Sequence, residues 1–348
     1  MSLKRVGVFL LLLIIIFFLT YTKKDDTEVS LPVLEDSTSS VSINFKTAFE
    51  PSEVVDSLSS SGDLVLDFKA PNFIPNLWLK DNASMPLYFE GGTILDRRAE
   101  LTDDPENESN KVLRFWIKNA VIPDYLTHKK GRIQNCFPFN QMGPNDSAIP
   151  VPELYMKESF YLPTDWNLLL NYPSSKDSWW LSPTLQEFGM GGDWEGHRSP
   201  ARIAVAISPD FSARVFRIGA AFDKKDPGDS EFVNYWTSIA STYPLPIGEW
   251  FTMEIFYKMG NVSTGRFILT IKKNADLEPT TLVDVTNFTY APGADTLAGV
   301  GPVPLTNWCP QKLYVSDNVI DFIRESGGLT QVYFDDFQFT NKWPDSRF

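Results

Sequence analysis

The sequence predicts an all-β chain, two antiparallel sheets stacked as a sandwich behind an N-terminal apolar helix and a stalk. Three observations predict it. Short runs alternating apolar and polar residues recur between glycine- and proline-bearing turns, and hardly any stretch carries a helical period. Aromatic residues make up 14% of the chain and prolines number 25, which suits many strands and turns and not a helix bundle.

The first element is the N-terminus. Lys4-Arg5 precede an uncharged run from Val6 to Leu19, the pattern of a secretory signal. No small-x-small cleavage site follows, since Thr20-Tyr21-Thr22-Lys23-Lys24 is a poor one. Residues 1–22 are therefore expected to stay as a single-pass signal anchor, with the bulk of the chain extracellular or in the secretory lumen. A cleaved signal peptide and a secreted chain are the alternative. Residues 23–62, rich in Ser, Thr, Asp, Glu and Val, read as a flexible stalk with a short helix at Pro51 to Leu58. One sandwich domain is expected over 63–348.

That domain opens on the alternating run Asp63 to Phe68, followed by Leu87 to Gly92 and Lys111 to Ile117. Further strands are expected at Arg132 to Cys136, Leu154 to Leu162, Arg214 to Ala221, Trp250 to Met259, Arg266 to Lys272 and Gln331 to Thr340. The central stretch, Ser178 to Val205, holds the pair Trp179-Trp180 and two extended runs around a wide loop that carries Trp194 and His197. Aromatic faces on such a loop can stack on sugar rings. Equally, the paired tryptophans can divide between core and surface.

Composition removes several function classes. A formal net charge of −13 disfavours nonspecific nucleic-acid binding, and the only two histidines and two cysteines, none at zinc-motif spacing, leave no Cys/His zinc cluster expected. No G-x-S-x-G elbow is present. Nor is there an E-x-D-x-x-E strand of glycosidase type, and Asp193-Trp194-Glu195 reads as solvated turn acids. Five N-x-[ST] sequons, at Asn82, Asn107, Asn145, Asn261 and Asn287, suit a glycoprotein of the secretory pathway. There Cys136 and Cys309 either pair as one disulfide or stay as buried free thiols. The compact basic cluster is His128-Lys129-Lys130-Gly131-Arg132, a local attraction for an acidic glycan or a solvated loop.

Several motifs in order resemble the concanavalin A-like (jelly-roll) polysaccharide lyases, the group of heparin-lyase-like and glucuronan-lyase-like proteins. They are Phe89-Glu90-Gly91-Gly92, Asp104-Pro105, Asn110 to Leu113, Gly131 to Gln134, Glu158 to Trp166, Gln186 with Ser199-Pro200, Gly248-Glu249-Trp250 and Val332 to Phe337. The resemblance spans roughly Tyr88 to Phe339. It implies a jelly-roll sandwich of the concanavalin A-like lectin/glucanase type, with a concave sheet forming a polysaccharide groove.

It also implies β-elimination next to a uronic acid, which needs a carboxylate neutraliser, a base for the C5 proton and an acid for the leaving oxygen. Arg132 and Gln134, two apart on one strand, are the expected neutralisers. His128, Tyr125 and Tyr257 are the expected proton-transfer groups. Gln186, Trp194, His197 and Lys258 are expected to bind substrate. Where related lyases carry Gln-x-His, this chain has Gln186-Glu187-Phe188, so a sandwich that kept its groove without its base would be a membrane-tethered carbohydrate-binding protein. The resemblance further implies a structural Ca²⁺ joining Glu90 to Asp335 or Asp336, with Arg97 or Arg98 as the alternative partner for a buried carboxylate.

Overall fold

The computed structural model describes residues 44–50, 54–58, 64–68, 84–85, 87–124, 127–137, 139, 151–190, 201–224, 232–290 and 305–341, with backbone alone at 44, 54–58, 64–68 and 84–85. The run Val6 to Leu19 lies outside these. Among the described residues, no helix is long and apolar enough to cross a membrane.

In chain order the strands begin with β1 (Asn44–Thr47), β2 (Val54–Leu58), β3 (Leu64–Phe68), β4 (Ser84–Met85), β5 (Leu87–Glu90), β6 (Arg97–Asp104) and β7 (Asn107–Ile117). Next come β8 (Ile122–Pro123), β9 (Lys129–Phe137), β10 (Glu153–Tyr161), β11 (Thr184–Met190), β12 (Ala201–Asp210) and β13 (Val215–Lys224). The last are β14 (Val233–Ile239), β15 (Trp250–Lys258), β16 (Arg266–Lys273), β17 (Thr280–Thr286), β18 (Leu305–Ser316) and β19 (Thr330–Thr340). A 3-10 helix covers Thr164–Asn171, and helix α1 covers Asp317–Glu325.

Two antiparallel sheets form the jelly-roll sandwich. The first runs β14-β13-β12-β11-β18-β9-β5, with β8 also on β9. The second runs β17-β16-β15-β10-β19-β7-β6, with β1 also on β19. Strands β2, β3 and β4 make a small third sheet.

Alternation sets the layers, because successive strand side chains point to opposite faces. In β9, Gly131, Ile133, Asn135 and Phe137 are buried between the sheets, while Lys130, Arg132 and Gln134 lie on the outer face. The core is aromatic. Phe137 stacks on Trp308 at 5.6 Å, and Phe45 reaches Phe339 at 5.5 Å.

Three expectations change. The 23–62 segment contributes strands: β1 is stitched to β19 because Phe45 buries itself among Phe137, Phe337 and Phe339. The helix expected at Pro51 to Leu58 is strand β2, whose β-branched Val54-Val55 favour extension. Helix α1 was unforeseen, yet its Val319, Ile320 and Ile323 fall on one buried stripe. Cys136 and Cys309, on neighbouring strands with Cα atoms 4.0 Å apart, form a disulfide.

Candidate functional site

The register of β9 against β18 builds the centre of the site. Arg132 pairs with Tyr314 and Gln134 with Lys312, so a guanidinium, an amide, an ammonium and a phenol share one patch of the outer face. On one side, β5 brings Tyr88 opposite Gln134 and Glu90 opposite Arg132. The turn after β5 uses Gly91 and Gly92 at φ 63° and 69°, and Arg97 Nε donates to the Gly91 carbonyl at 2.8 Å. On the other side, Glu187 of β11, Arg202 of β12 and Asp223 of β13 continue the row.

The row is a charge ladder. Arg132 Nε sits 2.6 Å from Glu90 Oε2, with its guanidinium 5.2 Å from the ring centres of both Tyr88 and Tyr314. Lys312 Nζ donates to Glu187 Oε2 at 2.8 Å. Arg202 lies 3.5 Å from the same oxygen and 2.9 Å from Asp223 Oδ1. Lys130 pairs with Asp124 at 3.2 Å.

Burial alone would push the Glu187 carboxyl up, but Lys312 and Arg202 outweigh it and hold it at about 2. Burial pulls the Lys312 ammonium down to about 8, against the opposing pull of Glu187. Burial raises the Tyr314 phenol, although Lys130 and Arg132 act the other way. An ammonium that holds its proton less tightly than usual thus lies 5.1 Å from the ring centre of a phenol that holds its proton more tightly.

Of the expected site residues, Arg132 and Gln134 do meet on the outer face, and the Gln134 Oε1 is buried without a hydrogen-bond partner. In the basic cluster around them, Lys130 and Arg132 already stand beside carboxylates. His128 Nε2 is 2.9 Å from Asp177 Oδ2, its Nδ1 3.3 Å from Asp317 Oδ1, and its ring stacks on Trp179 at 4.4 Å.

Gln186 is not on this face. A bulge between Thr184 and Gln186 lets Phe188 pack against Tyr257 and Trp308, and the two-residue period then turns Gln186 inward beside Glu158. Glu187 therefore takes the outward place, which sequence reading missed. Tyr257 is also no groove residue: on the second sheet and fully buried, its hydroxyl donates to the Thr289 carbonyl at 2.9 Å, and burial raises its phenol further. Lys258 lies on that second sheet too, exposed and paired with Glu153 at 3.2 Å. Tyr125, Trp194 and His197 lie outside the described residues.

The residues expected to hold calcium do not fit one ion. Glu90 is on the first sheet and committed to Arg132, whereas Asp335 and Asp336 are on the second. Asp335 accepts from Asn110 Nδ2 at 2.9 Å, so an amide and not Arg97 or Arg98 serves it. A bulge at Asp336, φ 49°, lets Phe334 and Phe337 both face inward. Burial lifts Asp335 to about 6 despite Asn110. Among the described residues, no three His, Cys, Asp or Glu side chains group as metal ligands.

No protein-family model matches the chain, and no curated protein does. Among solved structures it is similar to an endo-β-1,4-glucuronan lyase from the fungus Trichoderma reesei, at 12% identity and TM-score 0.40 over 78% of this chain and 94% of that one. It is similar to a PL-14 alginate lyase from Aplysia kurodai, at 9% identity and TM-score 0.38 over 87% and 99%. Alginate lyase Aly36B gives 12% identity and TM-score 0.39 over 86% and 96%. The chain is a two-sheet antiparallel jelly-roll sandwich, similar in that respect to solved polysaccharide lyases.

Proposed function

We propose that the outer face of the first sheet takes an acidic, uronic-acid-containing polysaccharide and that the chain cleaves it by β-elimination. The observation that carries this reading is the patch of Arg132, Gln134, Lys312 and Tyr314 on two paired strands. Arg132 and the Gln134 amide would neutralise the uronate carboxylate, making the C5 proton more acidic. Lys312, uncovered as the sugar seats and having given its own proton to solvent, takes that proton as its amine. The C4–O4 bond breaks as the C4=C5 double bond forms, and the Tyr314 phenol protonates the leaving oxygen.

The Cys136–Cys309 disulfide is consistent with secretion or display outside the cytosol, tethered by the N-terminal apolar run. Asn107, exposed at the start of β7, is available there for a glycan.

A second reading is glycan binding without turnover. It is favoured by Lys312 having no exposed surface and by each of the four cations standing beside a carboxylate. A panel of uronic-acid polysaccharides separates the two. Growth of the unsaturated product's absorbance supports the lyase, binding without it supports the second reading, and neither leaves both without support.

A further inference from the structure

We propose that Trp180, with Trp179 beside it, forms a stacking subsite for one pyranose ring of the polysaccharide, next to Tyr314. This deepens the function proposed above and rests on it. The chemistry argued there uses neither tryptophan.

Trp180 has φ 46°, in the left-handed region that a bulky side chain avoids. Three side chains hold it there. Ser316 Oγ donates to the Trp180 carbonyl at 2.7 Å, Asn318 Nδ2 donates to the Trp179 carbonyl at 3.0 Å, and Asp177 Oδ1 accepts the Trp179 N–H at 2.9 Å. Glycine would adopt this backbone freely, whereas Trp180 keeps it only with these neighbours holding it.

The strained conformation delivers position. The Trp180 ring meets Tyr314 edge to face, with centroids 4.4 Å apart, and Trp179 follows at 5.8 Å. Trp179 is stacked in turn on His128. Both indoles remain partly exposed. A ladder of Tyr314, Trp180, Trp179 and His128 thus leads away from the Arg132–Lys312 patch, towards the start of β9. A large flat apolar surface of this kind suits the C–H face of a pyranose, with the polar edges of the ring left to water. A polysaccharide seated on the patch would continue over the indoles.

The test uses the full chain with Trp180→Gly, Trp180→Phe and Arg132→Ala, and glucuronan and alginate oligosaccharides of increasing length. Binding is measured by calorimetry, with a thermal melt alongside. Trp180→Gly should weaken binding about tenfold for the longer oligosaccharides only, with a melting temperature equal to the parent's or higher. Trp180→Phe should stay within about threefold of the parent. Unchanged binding by a folded Trp180→Gly protein, with binding lost in Arg132→Ala, would remove the subsite and leave the proposed function standing. A lower melting temperature with binding weakened at every length would assign Trp180 to structure and overturn the subsite too. A parent that binds none of the oligosaccharides would overturn both.

Discussion

Glu187 Oε2 stands 2.8 Å from Lys312 Nζ, with both side chains buried on the outer face of the first sheet and Arg202 3.5 Å from the same oxygen. Breaking a buried pair leaves an unmatched charge, whereas removing both partners does not. Glu187→Gln should therefore cost about 3 kcal/mol of unfolding free energy, and Glu187→Leu with Lys312→Met should cost less than that. Denaturant unfolding of the single and double variants measures the difference.

The carboxyl of Glu158 is shifted the opposite way. Buried between the sheets with Gln311 Nε2 donating to its Oε1, it has a carboxyl raised well above 4.5 by burial, against the pull of that hydrogen bond. The folded chain thus keeps a proton that the unfolded chain releases. The contribution of Glu158 is complete below 4.5 and is lost as pH rises towards its folded value. Glu158→Gln keeps an acceptor for Gln311 without the charge. It should melt above the parent at about pH 7, and the gap should close at about pH 4. Glu187, held at about 2, runs the other way: its contribution is present above 4.5 and lost as pH falls through about 2. Melting curves across pH for both proteins check the signs.

Phe188, which the sequence resemblance sets against the histidine of Gln-x-His, has its ring packed 5.4 Å from Phe267 and 5.9 Å from Trp308. Phe188→His should therefore destabilise the sandwich by about 3 kcal/mol or more and bring no gain in turnover, because the imidazole would enter the core. Unfolding and activity of the variant check this together.

The Cys136–Cys309 bond closes a long loop, at a sequence separation of 173, between two strands that carry the site. Replacing both cysteines by alanine should cost about 2–5 kcal/mol. Parent protein melted under reducing conditions should move towards the double variant.

The outward phase of Arg132 and Gln134 was legible because β9 alternates without interruption. The phase of Gln186 was not, because the bulge at Thr184 to Gln186 breaks the period that the sequence reading extended through Leu185 to Phe188. Lys312 and Tyr314 were missed for a related reason. Pro310 sits in a strand that is central to its sheet, which argues against a strand, and the pairing tolerates it at the irregularity between Trp308 and Gln311. The strand β1 was hidden because Phe45 is its one large apolar residue in a polar stretch.

The central claim is β-elimination on the patch of Arg132, Gln134, Lys312 and Tyr314. The most direct measurement is the rate at which unsaturated product appears from uronic-acid polysaccharides, for the parent and for Tyr314→Phe. The account predicts product with the parent and a loss of about a hundredfold or more in the variant, whose ring still packs but cannot donate a proton. No product from any of the polymers with the parent, or undiminished turnover in Tyr314→Phe, would contradict it.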